Sequence, residues 1–288
     1  MLLMILLGVG NRPGVDDPGV PPLELVVALD RTTSMDATDG SGVPGSGDES
    51  RLDVAEQTVQ RLLDALPEAE VSLVTFGAKA EVVVPFTSDR ALLRDRLDAI
   101  TTEPPTTTVG SSLSRPLPFV QGALEIADAQ DSGAERRRAA VVLVGDGEDT
   151  ADVAEAGWNS LRDSRDAGLV LGVGTAEGST MPITGEVQPL IDPTTGEPAV
   201  SKADFGNLET VARQLDVPMV RVRATGRQAT DVDTLARELR AQAYADLPEA
   251  RSSREVTWLW ALLLLAFVLF EVRYAWREVL VVRREARA

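Results

Sequence analysis

The sequence predicts an α/β fold: a doubly wound, mostly parallel sheet with one antiparallel edge strand, followed by a C-terminal transmembrane helix. Three observations predict it. Short apolar runs rich in Val and Leu, such as Leu23 to Leu29 and Ala139 to Val144, read as strands buried on both faces of a parallel sheet. Helical stretches alternate with these runs, which is the pattern of a doubly wound sheet. Val256 to Phe270 is an uncharged apolar run with Trp258 and Trp260 at one end and Tyr274 and Trp276 past the other, an aromatic belt at each side.

Composition narrows the function before any motif is read. The chain has 288 residues, 44% of them hydrophobic, enough for one full α/β core and an appendage. A net charge of −17 argues against a nucleic-acid partner, which needs a basic footprint. There is no Cys and no His. Disulfides, thiolate metal sites and any Ser-His-Asp triad are therefore excluded, and with them the commonest hydrolytic designs.

Taken in order, residues 1–22 form an apolar end and a linker. Met1 to Gly10 is too short to span a bilayer core of ~30 Å and lacks a signal peptide's basic start and cleavage site. Given the apolar run at the other terminus, it is read as the end of a transmembrane helix, in preference to a buried strand or a disordered end. Asn11 to Pro22 contains four prolines and reads as an extended linker. Leu23 to Asp30 is the first strand, and Asp36 to Ser50 a mobile, solvated loop near its end. The acids of that loop, Asp36, Asp39 and Asp48, do not have EF-hand spacing.

Leu52 to Leu66 carries Leu52, Ala55, Val59, Leu62, Leu63 and Leu66 on one helical face and is stopped by Pro67. Val71 to Phe76 and Ala80 to Phe86 are strands joined by a short turn, so the third strand runs antiparallel at a sheet edge. A helix from Asp89 to Ile100 follows, capped by Ser88 or Asp89. Thr101 to Ser114 is a hydroxyl-rich loop, and the helix after it tolerates Pro116 and Pro118 in its first turns. Arg136 to Arg138 read either as a solvated surface run or as a partner contact. They lead into the strand that delivers Asp146.

Ala151 to Ala167 is expected to be a helix, Leu169 to Val173 a strand and Gly174 to Ser179 a Gly-rich turn. Ile183 to Val200 suggests a small hairpin excursion. Asp204 caps a helix to about Leu215, Val217 to Val222 is the last strand, and Asp231 to Ala243 the last helix of the sheet domain. The domain is placed at 23–225, with a helix and juxtamembrane linker at 226–255. The span is placed at 256–276 and a basic tail at 277–288. Arg273, Arg277, Arg283, Arg284 and Arg287 follow the span, against Arg251 and Arg254 before it. The positive-inside rule then puts the tail in the cytoplasm and the α/β domain outside.

The candidate site lies where strands end. Asp30, Thr32 and Ser34 leave the first strand's C-terminal edge together, where ligands bind in open α/β sheets. A carboxylate and two hydroxyls suit a hard divalent cation; the same residues also suit a helix cap. The Thr101 to Ser114 loop and Asp146 bring further oxygens to the same edge.

Asp30-x-Thr32-x-Ser34-Met35 resembles the D-x-S-x-S signature of von Willebrand factor A (VWA) domains. Val144-Gly145-Asp146-Gly147-Glu148-Asp149 resembles that family's later T-D-G-E/N element. Both occur in order on the right kind of strand, and the resemblance covers about residues 23–225. It implies a metal-ion-dependent adhesion site holding Mg²⁺ or Mn²⁺, with Asp30, Thr32, Ser34, Ser111 and Asp146 as ligands. Thr32 stands where Ser is commoner and Ser111 where Thr is commoner; an alternative alignment selects Thr107 in place of Ser111. A carboxylate from a protein partner would complete the metal's shell.

The Gly172 to Gly178 loop, Met181-Pro182 and the Ser201 to Leu208 segment are similar to stretches of bacterial membrane-anchored aerotolerance-type (Bat-like) VWA proteins; the loop also reads as an ordinary strand exit. That resemblance implies a cell-membrane protein associated with a MoxR-type AAA+ ATPase. On the topology given by the Arg asymmetry the VWA domain is extracytoplasmic, and its metal site would lie across the membrane from a cytoplasmic ATPase. The function expected is metal-dependent protein binding, not an enzyme. The alternative is a structural subunit with a vestigial metal site, and an enzyme using the cation as a Lewis acid ranks third.

Overall fold

The computed structural model describes residues 22–45, 49–105, 111–130, 137–150, 157–183, 189–224 and 229–245, with 262, 264–273 and 276 beyond them. The chain divides into two units, Val15–Ala245 and a second made of Met1–Gly14 with Asp246–Ala288. The expectations for Met1 to Gly10, Asp48, Thr107 and the basic tail fall outside the described residues.

In the larger unit the strands are β1 (Leu23–Asp30), β2 (Ala69–Phe76), β3 (Ala80–Thr87), β4 (Arg138–Gly145), β5 (Ala167–Gly172), β6 (Ser179–Thr180), β7 (Val200–Ser201) and β8 (Met219–Arg221). The helices are α1 (Arg51–Ala65), α2 (Arg90–Asp98), α3 (Leu117–Gln130), α4 (Phe205–Leu215) and α5 (Val232–Ala243). The main sheet has the order β3-β2-β1-β4-β5-β8. All its pairings are parallel except β2 with β3, so the antiparallel edge strand is where the short turn after Phe76 predicts it.

Side-chain alternation along β1 splits the core into two layers. Leu23, Leu25, Val27 and Leu29 pack with Leu52, Val59 and Leu62 of α1, Leu93 and Leu97 of α2 and Leu235 and Leu239 of α5. Val26 and Ala28 pack on the other face with Val120 and Leu124 of α3 and Leu208 and Leu215 of α4. Both faces of the central strands are thus dry, which is why those strands read as continuous apolar runs. Each buried Leu or Val among them contributes roughly 1.5–3 kcal/mol.

Caps set the helix starts. Ser50 accepts from the Asp53 amide and Asp53 reaches back to the Ser50 amide, a capping box that fixes Arg51 as the first residue of α1. Asp89, Asp204 and Asp231 cap α2, α4 and α5.

Three expectations need correction. The helix expected over Ala151 to Ala167 is, in its described part, a 3₁₀ helix at Trp158–Ser164, and Ala167 already opens β5. Trp158 and Leu161 are both buried, and a spacing of three stacks them on one side of a three-residue turn. The loop expected to be solvated holds Asp39 at 2% exposure. Of the arginines read as a solvated run or a partner contact, Arg136 is outside the described residues and the other two are ion-paired within the chain. Arg138 lies 2.9 Å from Asp166, and Arg137 is 2.8 Å from both Glu24 and Glu70.

The excursion after β5 is a hairpin as expected, closed by β6 against β7. In the smaller unit, residues 264–273 are helical, and Leu264, Leu265, Phe267 and Phe270 are exposed. No helix among the described residues is long and apolar enough to cross a membrane. Of the span expected at 256–276, residues 262, 264–273 and 276 are described and helical, and they do not make a helix of that length.

Candidate metal centre

The chain leaves β1 toward β2 on one side, and later strands continue through β4 on the other. The order therefore reverses between β1 and β4, and the crevice beyond their carboxyl ends is the binding position of an open α/β sheet. Leu29 pairs with Val144, so Asp30, the last residue of β1, and Asp146, just after β4, flank that crevice. Gly145 lets them approach: a Cβ there would lie 3.0 Å from Asp30 Oδ2.

Asp30 Oδ1 accepts from the Thr32 amide at 2.8 Å. Its Oδ2 is buried and has no hydrogen-bond partner among the described residues. Burial, and then the charge of Asp146, push the Asp30 carboxyl well above the usual carboxylate range. A 3₁₀ turn at Thr33–Asp36 folds the loop back and brings the Thr32 and Ser34 hydroxyls to 2.8 Å from each other, both residues buried.

Asp146 is held at both oxygens. Oδ1 accepts from the Glu148 amide at 3.0 Å, and Oδ2 from Arg51 Nη1 at 2.7 Å. Ser111 joins the same loop: its hydroxyl donates to the Glu148 carbonyl at 2.7 Å, and its amide donates to Thr150 Oγ1 at 2.9 Å. Glu148 Oε1 accepts from the Ser201 hydroxyl at 2.6 Å and the Lys202 amide at 2.8 Å. Burial, and then Asp146, raise the Glu148 carboxyl.

Asp30, Thr32 and Ser34 form one group facing Asp146, whereas Ser111 is fastened to the loop that follows Asp146. Among the described residues, no set of three or more Asp, Glu, His or Cys side chains gathers to hold a metal. An ion here would depend on two carboxylates and hydroxyls, an all-oxygen donor set suited to Mg²⁺ or Mn²⁺. The unpartnered Asp30 oxygen and the converging hydroxyls fit such an ion.

The motif reading does not include Arg51, Asp39, Thr175 or Ser201. Arg51 is fully buried and paired with both Asp39 and Asp146 at 2.7 Å. Burial alone would raise the Asp39 carboxyl, but Arg51 and Thr175 together hold it below the usual range. Thr175 donates to Asp39 Oδ2 through its hydroxyl at 2.6 Å and its amide at 2.8 Å. These partners come from distant parts of the chain, so no local spacing announces them. The one local signal is an Arg directly after a helix-capping Ser.

Residues 25–148 match the family model of the von Willebrand factor type A domain. Over that stretch the chain is similar to VWA domains, and its fold resembles that of the Bat-type VWA proteins. BatB from Bacteroides thetaiotaomicron shares 24% identity over 77% of this chain and 98% of its own, with a TM-score of 0.58. An aerotolerance-related membrane protein from Bacteroides fragilis shares 23% over 77% and 99%, also with a TM-score of 0.58. The PilB minor pilin from Streptococcus sanguinis shares 13% over 82% and 64%, with a TM-score of 0.50. At these identities the likeness is one of fold. No curated protein matches the sequence.

Proposed function

We propose that the chain is a membrane-anchored, non-enzymatic VWA module of the bacterial cell envelope. In this reading it binds Mg²⁺ or Mn²⁺ through Asp30, Thr32, Ser34, Ser111 and Asp146, and through the ion a carboxylate of a protein partner. The observation that carries the reading is the buried Asp30 Oδ2 without a partner among the described residues, beside two converging hydroxyls. A buried carboxylate oxygen left so is costly unless a cation or proton meets it.

The ion would supply positive charge between two acidic surfaces that otherwise repel. Asp30 and Asp146 would hold it directly or through water, and the hydroxyls would fill neutral positions. The domain's mouth would face the partner, with Glu148 and the β6–β7 hairpin at its rim. The anchor is argued from the uncharged Val256 to Phe270 run, its flanking aromatics and the Arg excess beyond it. That a relative of the same fold is named a membrane protein agrees with it. The extracytoplasmic orientation rests on the same Arg asymmetry.

A second reading has one observation in its favour. Arg51 already occupies Asp146 Oδ2, as expected of a structural subunit whose metal site is vestigial. Such a subunit would belong to a membrane complex linked to a MoxR-type ATPase and make contact through its loops.

Thermal melting of the full chain separates the two. With Mg²⁺ or Mn²⁺ at a hundred times Kd, wild type should gain about 2.7 kcal/mol over its stability in EDTA. Asp30→Ala and Asp146→Ala should lose that gain. No shift at millimolar metal would sink the metal reading and favour the second.

A further inference from the structure

One guanidinium organises the ground beneath the candidate centre. Arg51 Nε and Nη2 donate to Asp39 at 2.7 and 3.3 Å. Nη1 donates to Asp146 Oδ2 and to Ser201 Oγ, each at 2.7 Å, and lies 3.4 Å from the Ser34 carbonyl oxygen. Nη2 also donates to the Ser201 carbonyl at 3.0 Å. The loop after β1, the loop after β4 and strand β7 therefore meet on one side chain. Gly174 completes the slot: its φ is +92°, and a Cβ on it would lie 2.4 Å from Arg51 Nε.

The charges along this path alternate. Asp39 lies on one side of Arg51, Asp146 on the other, and beyond Asp146 is the crevice it shares with Asp30. Asp30, Asp146 and Glu148 are acids converging on one sheet edge, and without a cation they would repel as the loops close. Arg51 supplies a positive charge that is always present, fixed by a planar fork that a Lys ammonium does not reproduce.

Building on the metal reading above, we propose that Arg51 is the resident cation of this centre. It is a positioning residue that holds Asp146 by Oδ2 and opposes a divalent ion electrostatically, so that it sets the affinity for metal. The acidic loops would fold around Arg51 when no metal is bound. An incoming ion would meet an Asp146 already partly neutralised.

Alternation makes the test directional. Removing Arg51's charge should strengthen metal binding, whereas removing Asp39 leaves Arg51 more fully positive and should weaken it. A purely structural role moves both variants the same way. The full chain would be titrated with Mn²⁺ by calorimetry and melted in EDTA and in Mn²⁺, as wild type, Arg51→Gln and Asp39→Asn. Arg51→Gln should bind Mn²⁺ about tenfold more tightly or better, and Asp39→Asn several-fold more weakly, as expected for a unit charge near a ligand at a protein-like dielectric.

Arg51→Gln should also melt lower than wild type in EDTA and gain more from Mn²⁺. Folding of that variant only when Mn²⁺ is present would support the proposal too, as would a Mn²⁺ response in Arg51→Gln that wild type lacks. A wild-type response with unchanged or weaker binding in Arg51→Gln overturns this inference and leaves the metal reading standing. Failure of Arg51→Gln to fold with or without Mn²⁺ also overturns it. No response in any of the three proteins overturns both.

Discussion

The loops after β1 and β4 leave neighbouring strands at the same edge of the sheet, each with an Asp, yet they treat their carboxylates oppositely. Asp146 accepts from the Glu148 amide and from Arg51, so each oxygen has a donor. Asp30 is just as buried, but its described donors all belong to Thr32, and its second oxygen meets none. One carboxylate is part of the fold's internal ion pairing. The other is held ready at a cost to stability. Similar residues at similar strand ends thus serve different ends, because a guanidinium reaches only one of them.

The largest test of this contrast is a pair of substitutions with opposite signs. In EDTA, Asp146→Asn breaks a buried ion pair and should cost about 3 kcal/mol, the low end of the usual range because Asp39 still pairs with Arg51. Asp30→Asn removes a buried charge facing Asp146 and should leave the metal-free protein equally or more stable. Denaturant melts of both variants check this; equal losses would erase the distinction.

The same pair carries a pH signature. The folded Asp30 carboxyl is held above its unfolded value by burial and by Asp146. Its contribution to stability is therefore full below the ordinary carboxylate range and is lost as pH rises through the raised folded value. In EDTA, the advantage of Asp30→Asn over wild type should widen as pH is raised, and melting at a series of pH values reads it. A gap that narrows with pH would contradict the assignment.

Gly174→Ala probes the Arg51 side of the comparison with a smaller expected effect. The residue's φ of +92° and the 2.4 Å approach to Arg51 Nε leave no room for a methyl group. A loss of about 2 kcal/mol in thermal stability is expected from the strained backbone and the shifted guanidinium. The smallest effect comes from Glu56, which like Asp30 has a buried carboxylate oxygen without a described partner but lies on α1. Burial, then Asp53 and Asp98, raise its pKa to about 7. Its stabilising effect is full below its ordinary value and is lost as pH rises past about 7, so Glu56→Gln should melt slightly higher than wild type at pH 8 and equally near pH 4. Mn²⁺ should leave that difference unchanged, unlike the one at Asp30.

Much of the fold is legible because it depends on short-range chemistry. The short, Val- and Leu-rich run Leu23 to Leu29 reads as a doubly covered strand, and the short turn after Phe76 returns the chain antiparallel. Asp89, Asp204 and Asp231 announce helix starts through their caps. The stretch before β5 is less legible, since three-residue and 3.6-residue turns share Trp158 and Leu161 on one side and only packing separates them. At the site, Asp30, Thr32, Ser34 and Asp146 are visible because strand ends and motif spacing mark them.

The sequence by itself determined the order of strands and helices, the edge at which the Asp and hydroxyl residues emerge, and the antiparallel strand. Each of these follows from periodicity or from groups only a few residues apart. Tertiary structure alone decided that Asp39 is buried, that Arg51 bridges it to Asp146, and that Ser201 and Thr175 close the network. Arg51 lies 12 residues from Asp39 and 150 from Ser201 along the chain. Their attraction depends on desolvated geometry that exists only once the sheet has brought the loops to one edge.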